Sequence, residues 1–307
     1  MNKPKKFIPV MLMPFQEDLS IDYDALEKLI EFYLSAGAQG LFANCLSSEM
    51  FDLSKEEMLE SIDFIIKKVN GRVPVVATGT FDESLPRQAA FVRQIHNLGV
   101  DSVIVITGLL ATEEQSNEEF EENVLALLSL TDQIPLGFYE CPVPYKRLID
   151  PGFLGKLSGM GRVNYHKDTS LDLDHITQKI SFTQNNAQFG LFDAYMVHAV
   201  DSLHAGSAGL SCIQGNYFPE LIVWLCRHFD EEDMQEDVNE AQVFLRDQMD
   251  VMHYAYPTAA KYYLQQTGFP IALHTRRMDI EELNEQTKRN LDQLSVDYEK
   301  LKMKLNI

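Results

Sequence analysis

Cysteine and tryptophan are scarce in this sequence, and the few cysteines stand far apart. The 307 residues include four cysteines and one tryptophan. The cysteines, at positions 45, 141, 212 and 226, form no CxxC pair. A chain of this length can bury a large core without disulfide bonds, so we expect four reduced thiols.

Positive charge and long apolar runs are also scarce. There are 26 lysines and arginines against 46 acidic residues, a net charge of −20, which argues against a nucleic-acid or anionic-membrane partner. No apolar run approaches the ~20 residues of a membrane helix. The basic opening MNKPKKF precedes only the short apolar stretch FIPVMLMPF, which does not make a signal peptide. We therefore expect a cytoplasmic protein with no nucleic-acid or membrane partner.

Motifs for metals and nucleotides are missing. No GxGxxG follows the first β-rich run, and the eight histidines form no HxH or HExxH pattern. A metal site needs converging ligands, and a phosphate site needs a glycine-rich cradle. We therefore expect no metal site and no nucleotide substrate.

Eight short β-rich runs are present, separated by stretches with helical periodicity. Several of the runs are continuously apolar, which is typical of strands covered on both faces of a parallel sheet. The runs span residues 7–13, 39–45, 73–79, 101–107, 134–140, 161–167, 187–193 and 208–214. The intervening stretches carry helix signals, such as the capping-box pair Ser54 and Glu57. Eight strand–helix units within ~250 residues predict an α/β fold, a (β/α)8 TIM barrel.

The predicted barrel occupies residues 1–229, and a doubly wound open sheet is the alternative fold. Residues 230–307 are strongly charged and helical in pattern. We expect them to form about three helices, a C-terminal helical extension packed on the barrel.

The reactive groups of such barrels gather at the carboxyl ends of the strands. Lys167 is the only amine among the residues predicted to lie there. Apolar surroundings disfavour an ammonium, and a neutral amine can form a Schiff base with a ketone. Tyr139 could relay a proton, and Ser47 and Ser48 could bind a carboxylate. The alternative is a solvated lysine, a core tyrosine and capping serines.

These residues belong to a wider likeness. The chain resembles the dihydrodipicolinate synthase and N-acetylneuraminate lyase superfamily of class I Schiff-base aldolases. The likeness is carried by PVMLMPFQEDLSIDYDAL, FYECP, YHKDTS, AGLSCIQGNYFPEL and KYYLQQTGFPIALHTRRM. It implies a (β/α)8 barrel with a C-terminal helical region, assembled as a homotetramer (a dimer of dimers) or a homodimer.

The resemblance also implies roles for single residues. The family's Schiff-base lysine falls on Lys167, and its proton-shuttling tyrosine falls on Tyr139 in YECP, where Glu140 replaces the usual Asn. The family's carboxylate-binding loop falls on CLSSE, with Ser47 and Ser48 at two of its positions. No metal or organic cofactor is implied, because the iminium is itself the electron sink.

Two departures from the family bear on the substrate. Pro144 stands where the synthases place a carboxylate-binding arginine, although Lys146 and Arg147 follow, and VITGLLATEE lacks their interface tyrosine. We therefore expect retro-aldol release of pyruvate from a 2-keto-3-deoxy sugar acid or a related 2-oxo acid. Ser211 would line the pocket, and Asp193 would meet the acceptor hydroxyls. The alternatives are synthase-like condensation, 2-keto acid dehydration, and a catalytically silent ligand-binding homologue.

Overall fold

Eight parallel strands form one sheet in the order β1-β8-β7-β6-β5-β4-β3-β2 in the computed structural model, which describes residues 4–81, 84–277 and 282–307. The strands are β1 (Lys6–Phe7), β2 (Leu41–Ala43), β3 (Val75–Thr78), β4 (Ser102–Ile106), β5 (Leu136–Tyr139), β6 (Val163–Asp168), β7 (Gly190–Asp193) and β8 (Gly209–Leu210). The two ends of the sheet meet where Val10 and Phe42 form a parallel bridge. The sheet is therefore closed, which confirms the predicted barrel.

All eight predicted strands are present, and each is shorter than its apolar run. The first run, 7–13, overlaps β1 only at Phe7 and then contributes the single bridge at Val10. Pro9 lies between them and has no N–H, so it cannot donate to the ladder. Its carbonyl still accepts from Phe42 N at 3.0 Å.

Helices separate the strands and continue to the C-terminus. The described α-helices are α1 (Tyr23–Ser35), α2 (Lys55–Val69), α3 (Leu85–Asn97), α4 (Asn117–Leu130), α5 (Pro151–Ser158), α6 (Leu173–Thr183), α7 (Ala199–Ala205), α8 (Pro219–His228), α9 (Gln235–Asp247), α10 (Met249–His253), α11 (Thr258–Gln266) and α12 (Glu285–Leu305). The predicted capping box begins α2, where Ser54 Oγ accepts from Glu57 N at 3.1 Å and Ser54 N donates to Glu57 Oε2 at 2.8 Å. None of the described helices is both long enough and apolar enough to span a bilayer.

The C-terminal helices pack against the outer layer of the barrel. Phe218, which precedes α8, lies 4.4 Å from the Tyr298 ring of α12 and 5.5 Å from the Phe244 ring of α9, measured between centroids. Residues from both sides of position 229 share one hydrophobic core. The division into 1–229 and 230–307 therefore stays a prediction.

Alternation along the strands sorts their residues into two faces. One buried apolar cluster fills the barrel interior and includes Ile104, Tyr139, Tyr165 and Phe192. Their chain neighbours belong to the outer core beneath the helices, as Phe138 does. Successive side chains of a strand point to opposite faces, so this parity decides which strand-end residues face the barrel mouth.

Candidate active site

Lys167 and Tyr139 face each other inside the barrel. They are register partners on β6 and β5, and the Lys167 Nζ lies 4.5 Å from the centroid of the Tyr139 ring. The Phe42 ring is 5.9 Å from the same amine. Lys167 is 4% exposed. Within the described ranges we find no hydrogen-bond acceptor for the amine, so rings rather than carboxylates surround it.

The surroundings of Lys167 favour the neutral amine. Burial lowers the pKa of Lys167, and three nearby cysteines oppose that shift more weakly. Burial raises the pKa of Cys212 to about 12 and also raises the pKa of Cys141. These two thiols are therefore protonated at neutral pH, where they oppose the shift of the Lys167 pKa only a little. All four cysteines of the chain are free, as the sequence predicted.

Tyr139 is suited to hold a proton. Burial raises the pKa of its hydroxyl well above the usual value, and the neighbouring Cys141 adds to the shift. A buried phenol of this kind remains protonated at neutral pH and can donate to a developing alkoxide next to it.

The CLSSE loop forms a short 3-10 turn, Leu46–Ser48, at the carboxyl end of β2. Ser48 Oγ donates to Met11 O at 2.6 Å and accepts from Cys45 N at 3.2 Å, while Ser48 N donates to Cys45 O at 3.0 Å. Both polar groups of Ser48 are thus engaged in shaping the loop. Ser47 is also buried, and its hydroxyl contacts the hydroxyl of Tyr256.

Tyr256 is a site residue that the sequence analysis missed. Its hydroxyl accepts from Asn216 Nδ2 at 2.6 Å, and its burial raises its pKa well above the usual value. Asn216 in turn accepts from Tyr33 at 2.6 Å. Tyr256 comes from the C-terminal region, whose sequence indicated only helix packing, so no local signal could have placed it beside Ser47.

Glu49, the last residue of CLSSE, ties the loop to the C-terminal segment. Its Oε1 accepts from Lys261 Nζ at 3.2 Å, and its Oε2 accepts from Arg276 N at 2.6 Å and Arg277 N at 3.0 Å. Glu49 and Lys261 are both 0% exposed. Burial lowers the pKa of Lys261 to about 8, and the attraction of Glu49 limits the shift.

Ser211 lies on the inner face of the barrel, beside Tyr165. It follows β8, and its Oγ accepts from the Tyr165 hydroxyl at 3.2 Å. The Tyr165 ring stacks on Phe192, with 4.9 Å between centroids. Ser211 therefore holds the Tyr165–Phe192 stack, which forms the floor of the site.

Asp193 does not join the other predicted residues. It follows Phe192, which faces the interior, so its side chain lies on the opposite face of the sheet. There its Oδ2 is 3.1 Å from His198 Nε2, and its Oδ1 accepts from Tyr195 N at 2.8 Å. Burial raises the pKa of Asp193, and His198 opposes the shift. The structure thus separates Asp193 from the Lys167 amine, contrary to the expectation that it meets the acceptor hydroxyls.

The two cations that follow YECP are held elsewhere. The Arg147 guanidinium donates to Thr112 O and Gln115 O, each at 2.8 Å. Lys146 Nζ donates to Thr169 O at 2.6 Å. Arg147 is therefore a clamp between loops and does not replace the arginine missing at Pro144.

Comparison with known proteins agrees with this geometry. The sequence pattern of the Dihydrodipicolinate synthetase family matches residues 3–295. The 4-hydroxy-tetrahydrodipicolinate synthase of Oceanobacillus iheyensis is 26% identical over 302 residues, which are 97% of this chain and 98% of that protein.

Solved structures share the fold. A prophage protein of E. coli K12 from the dihydrodipicolinic acid synthase family, in complex with pyruvate, has a TM-score of 0.84 and 21% identity, covering 97% of this chain and 98% of that one. CdNal from Clostridium difficile, in complex with mannosamine, has a TM-score of 0.82 and 16% identity, covering 96% and 99%. At these identities the likeness shows the fold alone.

Proposed function

The chain belongs to the dihydrodipicolinate synthetase family, and from that premise we propose that it is a class I aldolase that binds a 2-oxo acid as an imine at Lys167. The observation that carries the proposal is the buried Lys167 amine, 4.5 Å from the Tyr139 ring centroid at the carboxyl ends of adjacent strands. Burial lowers the pKa of the amine and so increases the fraction that can act as a nucleophile.

The proposed reaction uses these two side chains in turn. The Lys167 amine attacks C2 of the 2-oxo acid, and Tyr139 gives its proton to the carbinolamine hydroxyl, which leaves as water. The iminium then withdraws electrons from C3 while the C3–C4 bond breaks. The Tyr139 phenolate takes the proton of the C4 hydroxyl, and an aldehyde leaves. Tyr139, which now carries that proton, gives it to C3 of the enamine. Water then adds to C2 of the resulting iminium and gives a proton to the Tyr139 phenolate, and loss of the amine releases pyruvate and restores Lys167.

We assign the grip on the substrate carboxylate to the CLSSE loop. Ser47 offers its hydroxyl beside the Tyr256 hydroxyl. Ser48 supports the loop, since its hydroxyl and its N–H are used internally. Ser211 supports the floor through Tyr165.

Retro-aldol release of pyruvate from a 2-keto-3-deoxy sugar acid is the direction we favour. Such a substrate carries one carboxylate, at the end bound by CLSSE, and its far end needs no guanidinium. Arg147 and Lys146 donate to backbone carbonyls, so neither is placed to bind a second carboxylate, and such a substrate has none. A synthase-like condensation is the second candidate, because the Oceanobacillus iheyensis relative is named a synthase.

A panel of 2-keto-3-deoxy sugar acids tests this direction. Released pyruvate is followed by NADH oxidation with added lactate dehydrogenase, with the Lys167→Met variant as the control. We expect release from at least one panel member by the wild-type protein and none by the variant. Condensation of pyruvate with aspartate semialdehyde, in the absence of any release, would instead support the synthase.

We also propose a compartment and an assembly state for the protein. Four free buried thiols fit a reducing compartment such as the cytoplasm. We propose a homotetramer built as a dimer of dimers, or a homodimer, acting on a small-molecule substrate without nucleic acid or membrane. Light scattering on the purified protein distinguishes these states from a monomer.

A further inference from the structure

A cluster of four ionisable side chains lies directly behind the Lys167–Tyr139 pair. It consists of Glu140, His166, Asp168 and Lys179, and each is 0% exposed. We call it the Lys179 cluster. The proposed reaction uses none of its members, so its burial needs a separate explanation.

The Lys179 ammonium is the centre of this cluster. Its Nζ donates to Glu140 Oε1 at 2.5 Å and to Asp168 Oδ2 at 2.6 Å, and it lies 3.4 Å from His166 Nε2. Glu140, His166 and Asp168 alone would form a ligand set for a metal ion. The ammonium fills the space between them, so the place of a cation is taken by a side chain of α6.

The cluster also holds the loops that follow β5 and β6. Glu140 Oε1 accepts from Ile149 N at 2.8 Å, and Asp168 Oδ1 accepts from Ser170 N at 2.7 Å. Burial alone would raise the pKa of Asp168, but His166 and Lys179 outweigh it and hold that pKa well below its usual value. Asp168 is thus a charged partner for the ammonium.

The cluster members are chain neighbours of the catalytic pair. Glu140 follows Tyr139, while His166 and Asp168 flank Lys167, and alternation places them on the outer face of the sheet. Between the ends of β5 and β6, Glu140 N donates to Lys167 O at 3.4 Å. The Lys179 ammonium adds a side-chain link between the same two strand ends, since it bonds both Glu140 and Asp168.

We propose that Lys179 is a positioning residue, which fixes the Lys167 amine against the Tyr139 ring by holding Glu140 and Asp168 together behind them. The inference rests on the proposed function, because it assigns a role toward the imine-forming lysine. Glu140 stands where the resembling family has Asn, so this cluster is a feature of the present chain. Lys179 on α6 supplies the charge that Glu140 requires.

The test compares three variants with the wild type. Lys179→Met removes the ammonium. Glu140→Gln keeps the shape of the side chain but removes one charge. Ile176→Ala is the control, because Ile176 is 0% exposed on the same helix and its replacement changes only the packing of α6. Each protein is mixed with pyruvate, quenched with sodium borohydride at increasing times, and weighed intact. The melting temperature is recorded in parallel, and all rates are taken well below it.

We expect imine formation at Lys167 to slow about tenfold to a hundredfold in Lys179→Met, in line with the cost of small misplacements in active sites. Glu140→Gln should slow it by a smaller factor, and Ile176→Ala should lower the melting temperature with little change in rate. If Lys179→Met does not fold, Glu140→Gln alone decides.

Three results would overturn the inference. The first is imine formation at the wild-type rate in folded Lys179→Met or in Glu140→Gln. The second is faster imine formation in Lys179→Met than in the wild type. The third is that Ile176→Ala slows imine formation as much as Lys179→Met does. Absence of any adduct in the wild-type protein would instead remove the proposed function, so the two failures are distinguishable.

Discussion

Two opposing effects act on the charged form of Lys167, namely attraction by aromatic rings and removal from water. Aromatic rings at 4.5 Å and 5.9 Å attract an ammonium, a contribution of about 0.5–2 kcal/mol. Removal from water disfavours the ammonium and lowers the pKa of Lys167. Below the folded pKa the protein therefore bears the cost of a buried charge. Between that pKa and the unfolded value of 10.5, the unfolded chain binds more protons, so the free energy of unfolding rises with pH.

Replacing Lys167 should therefore stabilise the protein while removing its chemistry. Lys167→Met keeps the length of the side chain and removes the buried amine. At neutral pH we expect the free energy of unfolding to rise by about 1–3 kcal/mol, as measured by urea denaturation. Lys67→Met, at an exposed lysine of α2, is the control and should change little. A less stable Lys167→Met would mean that the ring contacts outweigh desolvation.

At the scale of elements, the segment before α12 is joined to the first turn of α2. The Arg276 guanidinium donates to Glu57 at 2.6 Å and 2.9 Å. Glu57 also caps α2. The hydrogen bond with Arg276 is the largest cause that lowers the pKa of Glu57, to about 2. This two-pronged contact holds the C-terminal segment next to the CLSSE loop, where Glu49 accepts from Arg276 N.

Acid should weaken this junction in a defined window. Glu57 has a folded pKa below its unfolded value of 4.5, so its contribution is complete above pH 4.5 and is lost as the pH falls toward about 2. Because the pair is partly exposed, we expect Arg276→Met to cost only about 1 kcal/mol near neutral pH. The difference from the wild type, measured by urea unfolding at several pH values, should shrink as the pH falls toward about 2. The part that remains belongs to the hydrogen bonds from the guanidinium to Leu19 O and Asp52 O, which do not titrate. A difference that does not depend on pH would show that the ion pair contributes nothing.

The elements themselves could be predicted from the sequence better than the contacts between them. Apolar runs and helix caps depend on near neighbours, and all eight strands appear where expected. The Asp193 side chain lies on the outer face of the sheet and not in the interior as expected. The sequence could not reveal this, because a run as apolar as AQFGLFD carries no alternation that would show which residues point inward. The contact of Glu140 with Lys179 and that of Ser47 with Tyr256 join distant segments, which no local pattern records.

For the whole molecule, closure of the barrel is what assembles the site. The bridge between Val10 and Phe42 joins the ends of the sheet, and the carboxyl ends of β2, β5 and β6 then face one interior. The C-terminal region adds Tyr256 behind Ser47 and Lys261 behind Glu49. Among the described residues, Lys167 is the lysine that lies in this interior, next to groups that can assist imine chemistry.

Intact-mass spectrometry after treatment with pyruvate and sodium borohydride tests this account most directly. The account predicts that the wild-type protein gains one reduced pyruvyl group, that fragmentation locates it on Lys167, and that Lys167→Met gains none. An unchanged mass at millimolar pyruvate would contradict the account, as would an adduct that persists in Lys167→Met on another buried lysine such as Lys179 or Lys261.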